Sequence, residues 1–352
     1  MAFNGPGFVD HHTHLLRVSA AVKPPYDYTS SESIAKYHRS LLAAGQTPMD
    51  AIGDPLDDER LDAQLMAGLT RAAELGICQV TEAGMHDWEY FDTLLRRRET
   101  DRLPCRVRIL VASGLAYEGM RERTNDPDVD VVGVKFYADG WIGPRTCALC
   151  APFTDVHPTD DGVLFWDPVA LARVAQPLAE AGWTIATHAI GDRAAIAVLD
   201  AYEMIFDGDQ AAALDNGARI EHAQVLSPAL IDRFADQGIT ACIQPSFAVS
   251  DRESAAAALG DERWKRSYDW AGLLKAGARV ISGSDYPIET MDPLVGLRDL
   301  TTKVTRGSGL DLKTAYELMT DESVGITTLN QDPRAIDAAD IGDLEVLGAH
   351  PA

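Results

Sequence analysis

Residues 7–15 read Gly-Phe-Val-Asp-His-His-Thr-His-Leu. Phe8 and Val9 begin a short apolar strand that runs into a cluster of imidazoles. His12 and His14 stand two apart, and residues i and i+2 of a strand project from one face. Both rings therefore leave the strand's end on the same side, where two nitrogens can meet one metal ion. Such a pair also occurs on ordinary surfaces, so its meaning depends on what ends the strands that follow.

Working outward, strand and helix patterns alternate. Strands are predicted at 78–81, 106–112, 131–137, 183–188, 218–222, 239–244 and 279–282. Helices are predicted at 59–74, with Leu61, Leu65 and Leu69 at helical spacing and Gly76 as the stop, and at 88–97, 193–205, 264–276, 292–304 and 312–319. Two more, 167–181 and 227–237, open on Asp167-Pro168 and Ser227-Pro228, a cap followed by a first-turn proline. With the opening strand this makes eight strands interleaved with helices, the pattern of a (β/α)8 barrel. Residues 17–58 read as a long loop insertion with one short helix near 34–44, and 207–216 as a helix-to-strand loop. The expectation is a single barrel domain over 1–352, with a helical extension and short tail over 305–352.

Composition narrows the function classes. The chain has 352 residues, 46% of them hydrophobic, enough for a large core, and a formal net charge of −23. That charge argues against nucleic acid or an anionic membrane as partner, suits a soluble protein and says little else; a small-molecule substrate is the expected partner. No run approaches the roughly 18 apolar residues of a membrane span. The first residues lack the basic and apolar regions of a signal peptide. Five cysteines without framework spacing predict a reducing cytoplasm.

In such a barrel, chemistry collects where strands end and loops begin. His12 and His14 end the first predicted strand, Lys135 lies in the fourth, His188 ends the fifth, His222 the sixth and Asp285 the eighth. Singly, His188 or His222 reads as a hydrogen-bonded core histidine and Asp285 as a turn residue. Together the six favour a metal centre. Lys135 is unusual, because an unpaired ammonium inside an apolar strand is costly and its pKa should fall. A neutral amine can take up carbon dioxide as a carbamate, which can bridge two divalent cations. The plain alternative is an ion pair with Asp139 or Glu82.

Four longer runs carry a resemblance: VKFYADGWIGPRTCAL, THAIGDRAAIAVLDAYE, RIEHAQVLSPALIDRFADQGITACIQPS and AGARVISGSDYPIETMDPL. With the strand-end set they resemble the amidohydrolase superfamily, and within it the amidohydrolase 3 branch, which includes N-substituted formamide deformylases. The resemblance implies hydrolysis of an amide or other C–N bond (N-acyl, N-formyl or cyclic amide) by a metal-activated water. His12, His14 and Asp285 would hold one ion, His188 and His222 a second, and carbamylated Lys135 would bridge them. Zinc is the first choice for an open, imidazole-rich site. Asp285 would carry the proton from water to the leaving nitrogen. His86, Asp139, Trp141, Arg145 and Gln244 are the candidate substrate contacts. Asp192 and Arg193 are read as anchoring the next helix, and Glu221 as structural and facing away from His222. Cys147 and Cys150 are read as free thiols, with a local disulfide or substrate-loop role as alternatives.

Two departures from that branch stand out. Eleven residues precede His12, and the tail ADIGDLEVLGAHPA keeps a remnant of the closing motif, so most of a small β-sandwich is expected to be missing and a homodimer covering the bared surface is one expectation. Phe247 stands where the branch often has histidine, which predicts a more apolar pocket. These departures keep a non-hydrolytic reaction (isomerase, lyase or cyclase) open as the second reading. A non-catalytic scaffold is the third.

Overall fold

A computed structural model describes residues 7–15, 31–44, 58–100, 102–124, 126–156 and 160–320. Its centre is an eight-stranded parallel sheet in chain order: β1 (Phe8–Thr13), β2 (Ile77–Met85), β3 (Arg106–Ala112), β4 (Val129–Tyr137), β5 (Thr184–Ala189), β6 (Arg219–His222), β7 (Thr240–Ile243) and β8 (Val280–Ser282). Around it run α1 (Ser31–Ala43), α2 (Asp58–Glu74), α3 (Trp88–Thr100), α4 (Ser113–Glu118), α5 (Pro168–Glu180), α6 (Asp192–Phe206) and α7 (Gln210–Asn216). They are followed by α8 (Pro228–Asp236), α9 (Pro245–Ser250), α10 (Arg252–Leu259), α11 (Asp261–Trp264), α12 (Trp270–Ala276), α13 (Pro293–Thr301) and α14 (Leu312–Leu318). This is the (β/α)8 barrel. Among the described residues no helix is long and apolar enough to cross a membrane.

The strands are short apolar runs because both faces are covered, by the barrel interior and by the helices. Leu61, Leu65 and Leu69 of α2 are each at most 2% exposed, as are Val107 and Ile109 of β3. Burying one such side chain contributes roughly 1.5–3 kcal/mol. Helix starts follow local chemistry. Asp167, Ser227 and Asp292 accept hydrogen bonds from first-turn amides, each followed by proline. Proline has no N–H to leave unpaired at that position.

The ring closes between β8 and β1. His12 O accepts from Asp285 N at 2.7 Å, and His14 N donates to Tyr286 O at 2.7 Å, just past the end of β8. Gly283 makes this approach possible, since a Cβ there would sit 2.5 Å from His12 N. The seam thus brings the first and last strands together at their carboxyl ends.

Three expectations need correction. Residues 207–216 are not wholly loop: Asp209 caps α7 and Gly217, at φ 73°, ends it. The helix predicted over 264–276 begins only at Trp270: α11 ends at Trp264, Tyr268 takes φ 53°, and Asp269 caps a new start at α12. The helices α4, α9 and α10 lie in segments given no structure above. Of the 17–58 insertion, α1 and the start of α2 are described and the remainder lies outside the described residues, as does the tail beyond 320.

Candidate metal centre

Five strand ends, those of β1, β4, β5, β6 and β8, contribute to one rim. At the end of β1, Asp10 accepts from His12 N at 3.1 Å and from Ser284 N at 2.9 Å, which pins that strand's tip to the loop after β8. Burial pushes the Asp10 carboxyl up to about 6 against these hydrogen bonds. His12 Nε2 then lies 3.4 Å from Asp285 Oδ1, and His14 Nε2 lies 3.0 Å from the same oxygen. Donor atoms of all three residues fall within 4.8 Å of one another. Two ligand atoms at zinc distance and a tetrahedral angle stand about 3.4 Å apart, so this spacing suits a shared cation.

A second group adjoins the first. The His188 and His222 ring centroids are 4.4 Å apart, and the His12 and His222 centroids 5.1 Å. His188 Nε2 donates to Gly140 O at 2.9 Å, which leaves Nδ1 as its free ligand atom. Lys135 is fully buried, with Nζ 4.6 Å over the Tyr137 ring, and Tyr137 stacks on His188. Lys135 Nζ, His12 Nε2, His222 Nδ1 and Asp285 Oδ1 are all buried without a hydrogen bond. Buried polar atoms are almost always satisfied. Four orphans on one rim are the donor set that one or two divalent ions and a modified lysine would satisfy.

The charge balance matches. Burial disfavours ionised Asp285, but His12 and His14 outweigh it and hold its carboxyl well below the usual range. Burial and the His188 ring push His222 well below the ordinary imidazole value, toward the neutral form that ligates metals.

Backbone strain aims these groups. His222 and Ala223 take φ 77° and 48°, and Asp285 takes φ 61°. Non-glycine residues adopt such angles rarely. The turn at His222 breaks strand alternation, so Glu221 and His222 both face the centre. The expectation that Glu221 faces away is therefore corrected. Glu221 Oε2 is 2.6 Å from His12 Nδ1 and Oε1 is 2.6 Å from Arg219 Nε. Burial opposes its charge, but Arg219 and His12 hold the carboxyl well below its usual range.

The residues read as substrate contacts divide. His86 follows the last residue of β2 at the rim and is half-buried. Trp141 is half-buried and follows Gly140, whose carbonyl accepts from His188 Nε2, and Gln244 follows β7, buried, with Nε2 on Cys242 O and Oε1 without a hydrogen bond. Phe247 lies 6.2 Å from His222, an apolar wall. Asp139 and Arg145 face the protein instead. Asp139 accepts from Ile190 N, Ala148 N and Gly191 N at 2.8–3.0 Å. Arg145 pairs bidentately with Asp155 and donates to Ile142 O and Gly143 O. Both bind framework because the loop after β4 needs its backbone amides and carbonyls satisfied. Asp192 accepts from Cys150 N and Arg193 donates to Asp161, as anchors. All five cysteines are free thiols.

One rim residue escaped the sequence reading. His38, fully buried on α1, bonds Thr146 Oγ1 at 3.0 Å and meets Trp141 edge-on at 4.7 Å. Burial, then the charge of His188, lowers its pKa to about 4.

A parallel barrel whose carboxyl rim gathers four histidines, a lysine and an aspartate is the architecture of metal-centred barrel proteins. The amidohydrolase family model matches residues 34–332, and the chain belongs to that family. It is 33% identical over 255 residues to the YtcJ protein of Bacillus subtilis strain 168, a match covering 64% of this chain and 47% of that protein. It is 27% identical over 173 residues to the N-substituted formamide deformylase of Arthrobacter pascens, covering 49% of this chain and 31% of that enzyme. The chain thus matches less than half the length of either curated relative. In fold it resembles the crystal structure of an uncharacterized metal-dependent hydrolase from Pyrococcus horikoshii OT3. The TM-score is 0.72 at 20% identity, over 95% of this chain and 84% of that one. At that identity the likeness bears on the fold alone.

Proposed function

We propose that this chain is a metal-dependent hydrolase that cleaves an amide or other C–N bond of a small molecule. The observation that carries the reading is the convergence of His12 Nε2, His14 Nε2 and Asp285 Oδ1 within 4.8 Å, beside the orphaned Lys135 Nζ and His222 Nδ1. His12, His14 and Asp285 would hold one divalent ion, zinc by its preference for imidazole, and His188 and His222 a second. Lys135, as a carbamate, would bridge them. A bound cation supplies Lewis acidity and lowers the pKa of water from 15.7 to roughly 7.

The chain's own groups do the rest. Asp285, ionised by its histidine neighbours, accepts a proton from the attacking water and delivers it to the departing nitrogen. Burial of the rim keeps bulk water away from that transfer. Trp141, His86, Gln244 and Phe247 would receive the substrate, and the aromatic share of that set favours an N-acyl or N-formyl compound with an apolar body. Free thiols throughout support a cytoplasmic setting.

The test is metal analysis of the full chain together with turnover of N-acyl and N-formyl amines in oxygen-18 water. One or two ions per chain, and label in the released carboxylate, are expected. Fewer than one ion per chain would remove the metal reading. Product without label would transfer the centre to a non-hydrolytic reaction.

A further inference from the structure

We propose that Glu221 is a positioning residue that fixes the tautomer of His12, a role resting on the metal-hydrolase reading above. A neutral imidazole offers a lone pair at only one nitrogen, so His12 presents Nε2 to a cation only when its proton sits on Nδ1. Glu221 Oε2, at 2.6 Å from Nδ1, is the acceptor that keeps it there.

The carboxylate is itself clamped. Its other oxygen meets Arg219 Nε at 2.6 Å, and Arg219 Nη2 donates to His11 O at 3.1 Å. The chain of contacts leaves β1 at His11, crosses to β6 and returns to β1 at His12. His12 and Glu221 are fully buried and Arg219 is 7% exposed, so water cannot stand in for any member. The compact group of His12, Glu221 and Cys242 is thereby a clamp, since both carboxylate oxygens are already engaged. His14 lacks such support at its other nitrogen: the carboxylate oxygen that faces its Nδ1, Glu82 Oε1, stands 3.7 Å away, beyond hydrogen-bond reach. Of the two ligand histidines at the end of β1, His12 is the one held in a fixed orientation.

The experiment uses the full chain, stripped of metal, in three forms: wild type, Glu221→Gln, and Arg219→Met combined with Glu221→Gln. The double variant removes both charges together, so an unpaired buried guanidinium cannot confuse the result. Zinc affinity is measured by competition with a chelator, and the His12 tautomer by nitrogen-15 NMR of the metal-free protein. Loss of such an outer carboxylate typically weakens metal binding 10–100-fold, and both variants should fall in that range. Recorded at a pH high enough that the His12 ring is neutral, the NMR should show His12 protonated on Nδ1 in wild type and mixed tautomers in the double variant. Affinity within threefold of wild type and an unchanged tautomer in both variants would overturn the assignment. A wild-type chain that binds no zinc at micromolar concentration would instead sink the hydrolase reading, while the tautomer measurement would still decide the clamp.

Discussion

Asp139→Asn separates a framework role from a substrate-binding one. Asp139 is 1% exposed and its oxygens take three backbone N–H groups: Ile190 N at 3.0 Å on Oδ1, Ala148 N at 2.9 Å and Gly191 N at 2.8 Å on Oδ2. Asparagine keeps one oxygen. If it stays on the Ala148 and Gly191 side, the new amide N–H2 faces the Ile190 N–H and His188 Nε2, which lies 3.3 Å from Oδ1. One buried donor is then unsatisfied, costing about 1–3 kcal/mol, and two bonds lose their charge assistance at about 1 kcal/mol each. The total is about 4 kcal/mol. Unfolding entropy near 2.1 cal/mol/K per residue gives about 0.7 kcal/mol/K for a chain of this length, so Tm should fall by about 5 °C. Calorimetry of the metal-loaded protein measures it. An unchanged Tm with a raised KM would show that Asp139 contacts substrate and would refute the framework argument.

Further outcomes follow from the same geometry. Lys135→Ala should reduce bound metal from two ions to one per chain by elemental analysis; full metal content and full turnover would contradict the bridging role. Asp285→Asn should lower kcat at least 100-fold, the usual scale of a lost proton carrier, and near-normal turnover would remove it from that step. Asp251 has its carboxyl raised to about 6 by burial and by the neighbouring Glu289. A carboxyl raised above its unfolded value of 3.8 keeps its proton longer when folded. Stability from this group therefore falls as pH rises from about 4 to about 6 and stays lost above. Asp251→Asn should then raise Tm more at pH 8 than at pH 4.5, and the opposite order in thermal melts would refute it.

How much of this was legible in the sequence depends on the range of the signal. The eight strands were readable because strands covered on both faces become short apolar runs between helix caps, and β3 carries the same boundaries in sequence and structure. His12 and His14 were readable because strand alternation is local. Glu221 was misread by that same rule, since the positive φ at His222 that suspends alternation leaves no mark on residue types. His38 was legible in part: it stands four residues after Ile34 and three before Leu41, on the buried face of α1. What that face packs against was not, since His38 meets Thr146 across 108 residues of chain. The break before α12 was hidden because Trp264, Tyr268 and Trp270 continue an apolar pattern through a left-handed turn. Asp139 and Arg145 were read by charge and position, and charge alone does not tell a ligand from a backbone anchor.

The hydrogen bond from Asp285 N to His12 O has a consequence for biogenesis. Two ligands of the proposed ion stand on the first and last strands, and the backbone contact that docks those strands also sets the ligands side by side. A nascent chain that has made β1 through β7 carries His12 and His14 without Asp285. Capture of that ion is thereby reserved for chains whose eighth strand has been synthesised and docked, and its uptake during refolding would serve as a clock for ring closure.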